Sequence, residues 1–516
     1  MVHPDLARDP HRTELRSDTT PHSHLPPRVP VRPLDLLVVV LYLVLTLGTG
    51  LWRARGQKDS GDYFLGARDL PAWAVLLSIV ATETSALTVI SLPGIGARGN
   101  LTFLQLSFGY VVGRIIVAYW LLPGYFDGRQ ETAYQRLETR FGPNVRRLLS
   151  AVFLVTRFLG DGVRIFAGAI PLSLLTGWSV PASIVAMGAI TLLYTYAGGL
   201  SAVVWADVLQ LGVYVAGGVG ALWVAWSLGG GAGTALAAAA AAGKLQLIDL
   251  RLSAPFSLFG GLIGGALLSA ASHGTDHLIV QRLLATRSLV DVRRALIGSG
   301  ALVVLQFLLF LLVGSAIWAA GLAPEGVIAD EIFPRFVLTQ LPAGLSGLVA
   351  AGILAAAMST ISSSINALAG SVTHDWYATW TGRTDPAHLL KVGKRLSLVW
   401  GILLTAGALA FATREDAGRT PVVVLALSIA SVTYGPLLGA YLLAGWPRAK
   451  AADVIRAVCV TVPAMLLVLF AKPIYAATGM VLFQTLGNLG LPWFVAIGTA
   501  LALVTGAGPA LFRRTS

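Results

Sequence analysis

Charged side chains are scarce in this sequence: Asp, Glu, Lys and Arg make up 12% of its 516 residues, whereas soluble globular proteins carry about 25%. In their place stand repeated apolar runs, each long enough for a helix to cross the ~30 Å hydrocarbon core of a bilayer. The mean hydropathy is +0.74. The runs are continuous and do not alternate apolar with polar residues, which argues against a transmembrane β-barrel. The sequence therefore predicts an all-α, polytopic membrane protein.

Cysteine is also nearly absent, and the one cysteine, Cys459, excludes an intrachain disulfide framework and a cysteine-rich metal site. Residues 1–32 lack the apolar segment of a signal peptide, so we expect them to form a disordered polar tail. No nucleophile–base pair or metal motif stands at a fitting spacing, so no enzyme activity is expected. The net charge of +12 is distributed over short loops, which argues against nucleic-acid binding.

Thirteen apolar segments are candidate membrane spans. They lie at 33–53, 71–96, 102–124, 146–177, 180–198, 203–227, 256–284, 294–321, 343–374, 390–412, 421–446, 451–471 and 487–512. An odd number of spans places the two termini on opposite sides of the membrane. With the N-terminus outside, and its tail left aside, the inner loops carry twenty-two Lys and Arg residues and the outer loops seven. The positive-inside rule therefore predicts an outer N-terminus and a cytoplasmic C-terminus in the cell (inner) membrane.

Two of the connecting segments are long. Residues 228–255 are rich in Gly and Ala, and we expect an external loop that is partly helical. Residues 322–342 are polar enough to predict a second external loop with a short surface helix.

Ionisable residues inside apolar segments are costly, so each one is a candidate for function or for pairing. They are Glu83, Asp161, Arg164, Asp207, His273 and Asp276. Glu83 lies in a segment interrupted by the polar residues 82–85 and followed by Pro93, which together predict a broken helix. Asp161 and Arg164 are three residues apart, so they can pair on one helix face.

A cluster of hydroxyl side chains interrupts the apolar segment 343–374. In a helix, one face carries Ala356, Ser359, Thr360 and Ser363, with Ser362 and Asn366 beside it. Such oxygen atoms can replace the hydration shell of a monovalent cation, and a helix broken at 81–88 would add free carbonyl groups. The alternative is packing, because Ser and Thr in membrane helices also bond to their own backbone and let helices approach closely.

Several short motifs follow one another along the chain. They are "DYFLGARDLPAW" (62–73), "ETAYQRLETRFG" (131–142), "YAGGLSAVVWADVLQ" (196–210), "GTDHLIVQRLLATRS" (274–288) and "AAAMSTISSSIN" (355–366). In combination they resemble the sodium:solute symporter family, over residues 33–510. The resemblance implies a LeuT-type fold, in which two five-helix repeats of inverted topology hold substrate and ions near the middle of the membrane.

Under this resemblance the chain has about 13 transmembrane helices. Its parts would be the tail at 1–32, an extra N-terminal helix at 33–53, the first five-helix repeat at 71–227, the external loop at 228–255, the second, inverted repeat at 256–446 and two C-terminal helices at 451–512.

The resemblance also implies a main sodium site. Its ligands would be the backbone carbonyls of Ala81, Thr84 and Ala356 and the hydroxyls of Ser359 and Thr360. Some family members have a second sodium site, whose positions correspond to Asp207, Ser359, Ser362 and Ser363. The alternative for Asp207 is a charge partner for neighbouring helix ends.

Family positions for the solute correspond to Ser85 and Thr88 on the first core helix and, loosely, to Phe103 on the second. A carboxylate-transporting branch has an Arg on the third core helix where this chain has Gly160. The nearest charges, Asp161 and Arg164, are further candidates: Arg164 either binds a carboxylate or neutralises Asp161.

Two more positions bear on the solute. Glu83 stands where the proline-transporting branch has an acid, which favours an amine-bearing solute, with an ion-paired acid as the alternative. Ser272 and His273 follow on the sixth core helix, where His273 is either a solute contact that titrates or a structural histidine. The acid and amide of sugar-binding members are replaced by Leu87 and Thr88, which argues against a glucose-like solute.

The sequence thus predicts a secondary active transporter that couples sodium influx to uptake of a small polar organic solute, amino-acid-like or carboxylate-bearing. Na⁺ is the expected coupling ion, without an organic cofactor. The solute and the lipid bilayer are the expected partners, with no required protein partner. The alternatives are a proton-coupled carrier of the same fold and a membrane solute sensor that does not transport.

Overall fold

The computed structural model describes residues 32–53, 57–128, 130–251, 254, 256–412, 422–489 and 492–511, so the predicted tail lies outside it except for Arg32. Helices form nearly all of this part of the chain. Their bounds are α1 Pro33–Arg53, α2 Ser60–Leu65, α3 Ala72–Glu83, α4 Ala86–Arg98, α5 Leu104–Ile116, α6 Pro123–Phe126, α7 Gln135–Phe141, α8 Pro143–Thr176, α9 Val180–Leu228, α10 Ala232–Ala241, α11 Leu258–Gly274, α12 His277–Leu284, α13 Leu289–Ala319, α14 Ala329–Gln340, α15 Leu345–Ser371, α16 Ala378–Thr381, α17 Pro386–Ala412, α18 Val422–Ala444, α19 Ala451–Leu469, α20 Ala471–Thr478, α21 Val481–Gly487 and α22 Pro492–Leu511.

Seven helices in the described part of the chain are long and apolar enough to cross a membrane, or eight if the bent pair α3 and α4 is one span. They contain α1, α5, α9, α13, α15, α17 and α19. The prediction of a polytopic helical membrane protein is confirmed. The count of thirteen spans, the two repeat units and the side on which each terminus lies stay predictions.

The predicted spans at 180–198 and 203–227 belong to one helical element, α9. Its 49 residues would extend about 74 Å at 1.5 Å per residue, more than twice the thickness of a hydrocarbon core. The element is interrupted at Gly199, where φ is 56° and ψ is −151°. A Cβ atom at Gly199 would lie 2.3 Å from the carbonyl oxygen of Tyr63. Glycine therefore permits both the kink and the close approach of α2.

Two predicted spans are each broken into two helices. Between α3 and α4 the axis bends by 68°, because Thr84 and Ser85 have extended backbone angles. This is the break predicted at 81–88. The second break separates α11 from α12, and the side chain of Asp276 caps α12 by accepting a hydrogen bond from the backbone N–H of Leu278.

The two long connecting segments are partly helical and packed against the spans. In 228–255, α10 is followed by Lys244, whose Nζ donates a hydrogen bond to the carbonyl of Ala97 at 2.7 Å. In 322–342, α14 buries Phe333 and Phe336 and packs against α4. The expected surface helix is therefore exposed on one side only.

The long helix α15 is buried along almost its whole length. It packs against α1, α8, α9 and α17. Its hydroxyl side chains consequently face other helices and not lipid, so each of them needs a protein partner or a ligand.

Candidate ion and solute site

The hydroxyl groups of α15 are partly satisfied by their own helix. Thr360 Oγ1 donates to the carbonyl of Ala356 at 3.2 Å, and Ser362 and Ser363 donate to the carbonyl of Ser359 at 3.1 and 2.6 Å. These are the back-bonds that the packing alternative requires. A hydroxyl that donates its proton nevertheless keeps lone pairs that can bind a cation. The geometry is therefore compatible with packing and with ion binding.

The broken end of α3 supplies carbonyl oxygens without helical partners. The last four carbonyls of a helix have no intrahelical donor. The backbone N–H of Thr84 bonds to the carbonyl of Val80, and the chain then turns away, so the carbonyl of Ala81 lies at a free helix end. Thr84 is held by its side chain, which bonds to Gln306 at 2.8–3.0 Å.

The structure brings the break and the hydroxyl stripe together. Thr82 Oγ1 lies 3.3 Å from Ser363 Oγ. The carboxylate of Asp207 joins the two elements, accepting hydrogen bonds from Ser78 of α3 and Ser359 of α15, both at 2.6 Å. The predicted ligands of the main sodium site therefore lie on two helices that meet side by side.

Asp207 has a partner that the sequence did not reveal. Arg282 is one of the twenty-two residues that the sequence analysis assigned to the inner loops. It is fully buried, and its Nη2 lies 3.1 Å from Asp207 Oδ2. The guanidinium also donates to Ser78 at 2.8 Å and to Ser363. Ser359 bonds to Asp207, and Ser363 is linked to it through Arg282. The negative charge of Asp207 is already compensated by Arg282, and the second sodium site stays a prediction. Ser362 contributes a bond to Ser359.

Beside the break lies a cavity of about 320 Å³. Seven of the eight predicted solute contacts line it: Glu83, Ser85, Thr88, Phe103, Arg164, Ser272 and His273. The eighth, Asp161, is fully buried behind it. Ser85 and Thr88, with their hydroxyls 3.4 Å apart, stand at the start of α4.

The apolar wall of the cavity includes four aromatic rings. Phe103 packs edge-on against Phe256 at 4.8 Å between ring centroids and lies 5.8 Å from Phe307, which contacts Tyr110 at 6.3 Å. The edge-to-face arrangements of Phe103 with Phe256 and of Tyr110 with Phe307 are favourable at these separations. The sequence had indicated only Phe103 of this group.

Charged residues of α8 form a second wall. Arg164 Nη1 donates to Asp161 Oδ1 at 2.7 Å, so the predicted ion pair forms. Arg157, one turn before Asp161, also lines the cavity. It lies 3.7 Å from Asp161 and binds Asp276. Tyr434 of α18 also lines the cavity and donates to Asp276 at 2.9 Å. Two arginines and two aspartates thus make a group with no net charge.

Glu83 is also paired. Its carboxylate binds Arg114 of α5, which is fully buried and donates to Ser299 at 2.6 Å. His273 Nε2 lies 3.7 Å from the same carboxylate. The Nδ1 atom of His273 faces the hydroxyl of Ser272 at 2.8 Å and the carbonyl of Ser269 at 3.2 Å, so a proton on Nδ1 satisfies both. The ion pair given as the alternative for Glu83 is thus found at the edge of the cavity. His273 Nε2 has no hydrogen-bond partner among the described residues, and the role of His273 stays a prediction.

Sequence reasoning missed three arginines that determine the charge of this region, Arg114, Arg157 and Arg282. A signal was available for Arg157, because it stands four residues before Asp161 on a membrane helix. For Arg114 the signal was its position inside an apolar segment, which requires an acid nearby.

The chain resembles known sodium-coupled transporters. A family profile described as "Sodium:solute symporter family" matches residues 63–472. The sodium/sialic acid symporter SiaT of Proteus mirabilis (strain HI4320) is 26% identical over 476 residues, which cover 89% of this chain and 95% of the relative. The human sodium/iodide cotransporter is 31% identical over 433 residues, 79% of this chain and 65% of the relative. A solved structure of a substrate-bound, outward-open Na⁺-coupled sialic acid symporter has a TM-score of 0.80 at 25% identity, covering 93% of this chain and 98% of that chain.

Proposed function

The chain belongs to the sodium:solute symporter family, and from this premise we propose that it couples sodium entry to the uptake of a small organic carboxylate. As a member it is a Na⁺-coupled solute symporter with the LeuT-type fold, a multi-pass membrane protein and not an enzyme. The class of solute is the proposed part, and it depends on the charges around the cavity.

Arg164 is the observation that carries the proposal. Its side chain is 19% exposed, lines the cavity and makes its hydrogen bond to Asp161 through Nη1. A guanidinium has five N–H donors in a planar fork that matches a carboxylate. Donors therefore remain for a solute, in a space whose other walls are largely apolar.

The pairing of Glu83 supports an anion over an amine. Arg114 already neutralises its carboxylate through Oε2. An ammonium group bound at the same carboxylate would add a second cation beside a fully buried arginine, and a buried charge without a partner is costly. We therefore place a carboxylate at Arg164 and the apolar remainder of the solute against the rings of Phe103, Phe256 and Phe307.

For sodium we propose the main site already described, with carbonyls of Ala81, Thr84 and Ala356 and hydroxyls of Ser359 and Thr360. An ion there would bind both the broken end of α3 and α15. It would thereby fix the backbone of residues 82–85, and Thr82, Glu83 and Ser85 of this segment line the cavity. Sodium and solute would then favour each other's binding by linkage. Inward release at a negative inside potential gains about 2.3 kcal/mol per charge per 100 mV.

A second ion at Asp207, Ser359, Ser362 and Ser363 would have to share the carboxylate with Arg282. The charge moved per solute in Asp207→Asn decides this point. A ratio lower than in the wild type would support a second ion, and an unchanged ratio would leave Arg282 as the only cation at this carboxylate.

The experiment for the solute class measures the thermal stability of the purified chain in sodium and in potassium chloride. We expect sodium to stabilise the protein, benzoate to add stabilisation only in sodium, and benzamide, its uncharged counterpart, to add none. Arg164→Gln should remove the benzoate effect and keep the sodium effect. Stabilisation by an amine in place of benzoate would move the solute's charged group to Glu83. The absence of any sodium effect would favour proton coupling or a sensor.

A further inference from the structure

The carboxylate of Asp161 is in contact with both the solute wall and the sodium helix. On one side it accepts a hydrogen bond from Arg164, which is exposed to the cavity. On the other side it accepts one from Ser364 of α15. Asp161 itself is fully buried, so a solute cannot reach it directly.

Ser364 places this carboxylate close to the proposed ion. It follows Thr360 by four residues, which in a helix is about 6 Å along the axis and nearly the same face. Helices α8 and α15 also approach closely two turns away from this contact, where Gly168 leaves room for Ala357. An ion bound at Thr360 would therefore act on Asp161 through one hydroxyl and across a single helical turn.

We propose that Asp161 competes with the solute's carboxylate for Arg164, and that sodium decides this competition in favour of the solute. Without sodium, Asp161 holds Arg164. With sodium bound at Thr360, one turn from Ser364, the ion would attract Asp161 and repel the guanidinium, so that Arg164 is released to the cavity. The inference rests on the proposed carboxylate at Arg164, and it makes Asp161 a positioning residue for coupling.

The surrounding bonds allow Arg164 to leave without stranding a charge. Asp161 would keep the Ser364 hydroxyl and would still have Arg157 at 3.7 Å. Arg157 is itself fixed by Asp276 and by Tyr434. Arg164 is thus the replaceable member of the group. It faces the cavity, and among the described residues its acidic partner is Asp161 alone, whereas Arg157 also has Asp276.

The effect has a measurable size. The two charges are the proposed sodium ion and the Asp161 carboxylate, which one helical turn and one hydrogen bond would place about 8 Å apart. At an effective dielectric of about 20, their interaction changes a binding constant by tenfold or more. We therefore expect benzoate to bind wild-type protein at least about tenfold more tightly in sodium than in potassium, within the usual range of coupling between sites.

The test is benzoate titration of purified Asp161→Asn, which keeps the shape of the side chain and an acceptor for Ser364. In potassium its affinity for benzoate should rise towards the wild-type value in sodium, so the sodium-to-potassium ratio falls to about threefold or less. A side chain with only a structural role would not increase affinity when removed. Asp375→Asn removes a buried, arginine-paired carboxylate outside the cavity lining; it is the matched control and should not bind benzoate more tightly in potassium.

A second variant covers the possibility that Asp161→Asn does not fold. Ser364→Ala removes the link to α15 and leaves the carboxylate free to hold Arg164, so benzoate should bind more weakly in sodium and the ratio should again shrink. An unchanged ratio in either variant overturns the inference and leaves the carboxylate solute in place. If benzoate does not bind wild-type protein in sodium, the proposed carboxylate and this inference fail together.

Discussion

Thr360 offers the sharpest test of the sodium site, because its hydroxyl can be removed without changing its shape. Thr360→Val replaces the hydroxyl by a methyl group of similar volume. The side chain is buried, and its hydrogen bond is to the carbonyl of Ala356, within its own helix. No other element loses a hydrogen bond with it, so the fold should tolerate the change.

The expected loss is in sodium affinity. A buried hydrogen-bonding group that contacts a charge contributes about 1.5–3 kcal/mol, and each 1.4 kcal/mol is about tenfold in affinity. The sodium concentration for half-maximal uptake should therefore rise by about ten- to a hundredfold. Sodium-dependent uptake in proteoliposomes, with the sodium-induced shift in melting temperature as a second measurement, tests this.

Two further variants complete this experiment. Thr360→Ser keeps the oxygen and should keep sodium affinity near the wild-type value. Ser359→Ala should weaken sodium binding and also destabilise the fold, because Ser359 donates to the buried carboxylate of Asp207 at 2.6 Å. If Thr360→Val retained wild-type sodium dependence, the site would be misplaced and the stripe would serve packing.

Two predictions concern the surrounding fold. Arg282→Met should lower the free energy of unfolding by about 3–5 kcal/mol, because it leaves Asp207 buried and unpaired. Adding Asp207→Asn should recover part of this loss. A double variant that is no more stable than Arg282→Met in chemical denaturation would contradict the pairing. Gly168→Ala should cost about 1–3 kcal/mol by overpacking, since its Cβ would lie 2.4 Å from that of Ala357. Gly160→Ala, whose nearest neighbour is 4.0 Å away, is the control, and equal losses in both would refute the packing argument.

Some features of this protein follow from local sequence alone. Apolar runs of bilayer length predict membrane helices. The polar residues 82–85, followed by Pro93, predict that one of these helices is broken, and the structure has extended backbone at Thr84 and Ser85. The helical period likewise places Ala356, Ser359 and Thr360 together whatever surrounds them. These features depend on neighbours within a turn or two, which is why the sequence was sufficient to predict them.

The pairing of charges was decided by the tertiary structure. Asp207 meets Arg282 across 75 residues of sequence, and Asp161 meets Ser364 across 203. Several arginines could have compensated each of these acids, and only the packing of α3, α5, α8, α9, α12 and α15 selects among them. Burial makes an unpaired charge too costly to keep, so the fold assigns a partner to each acid. The packing of the helices therefore also decides which cation, Arg164, remains available to a solute.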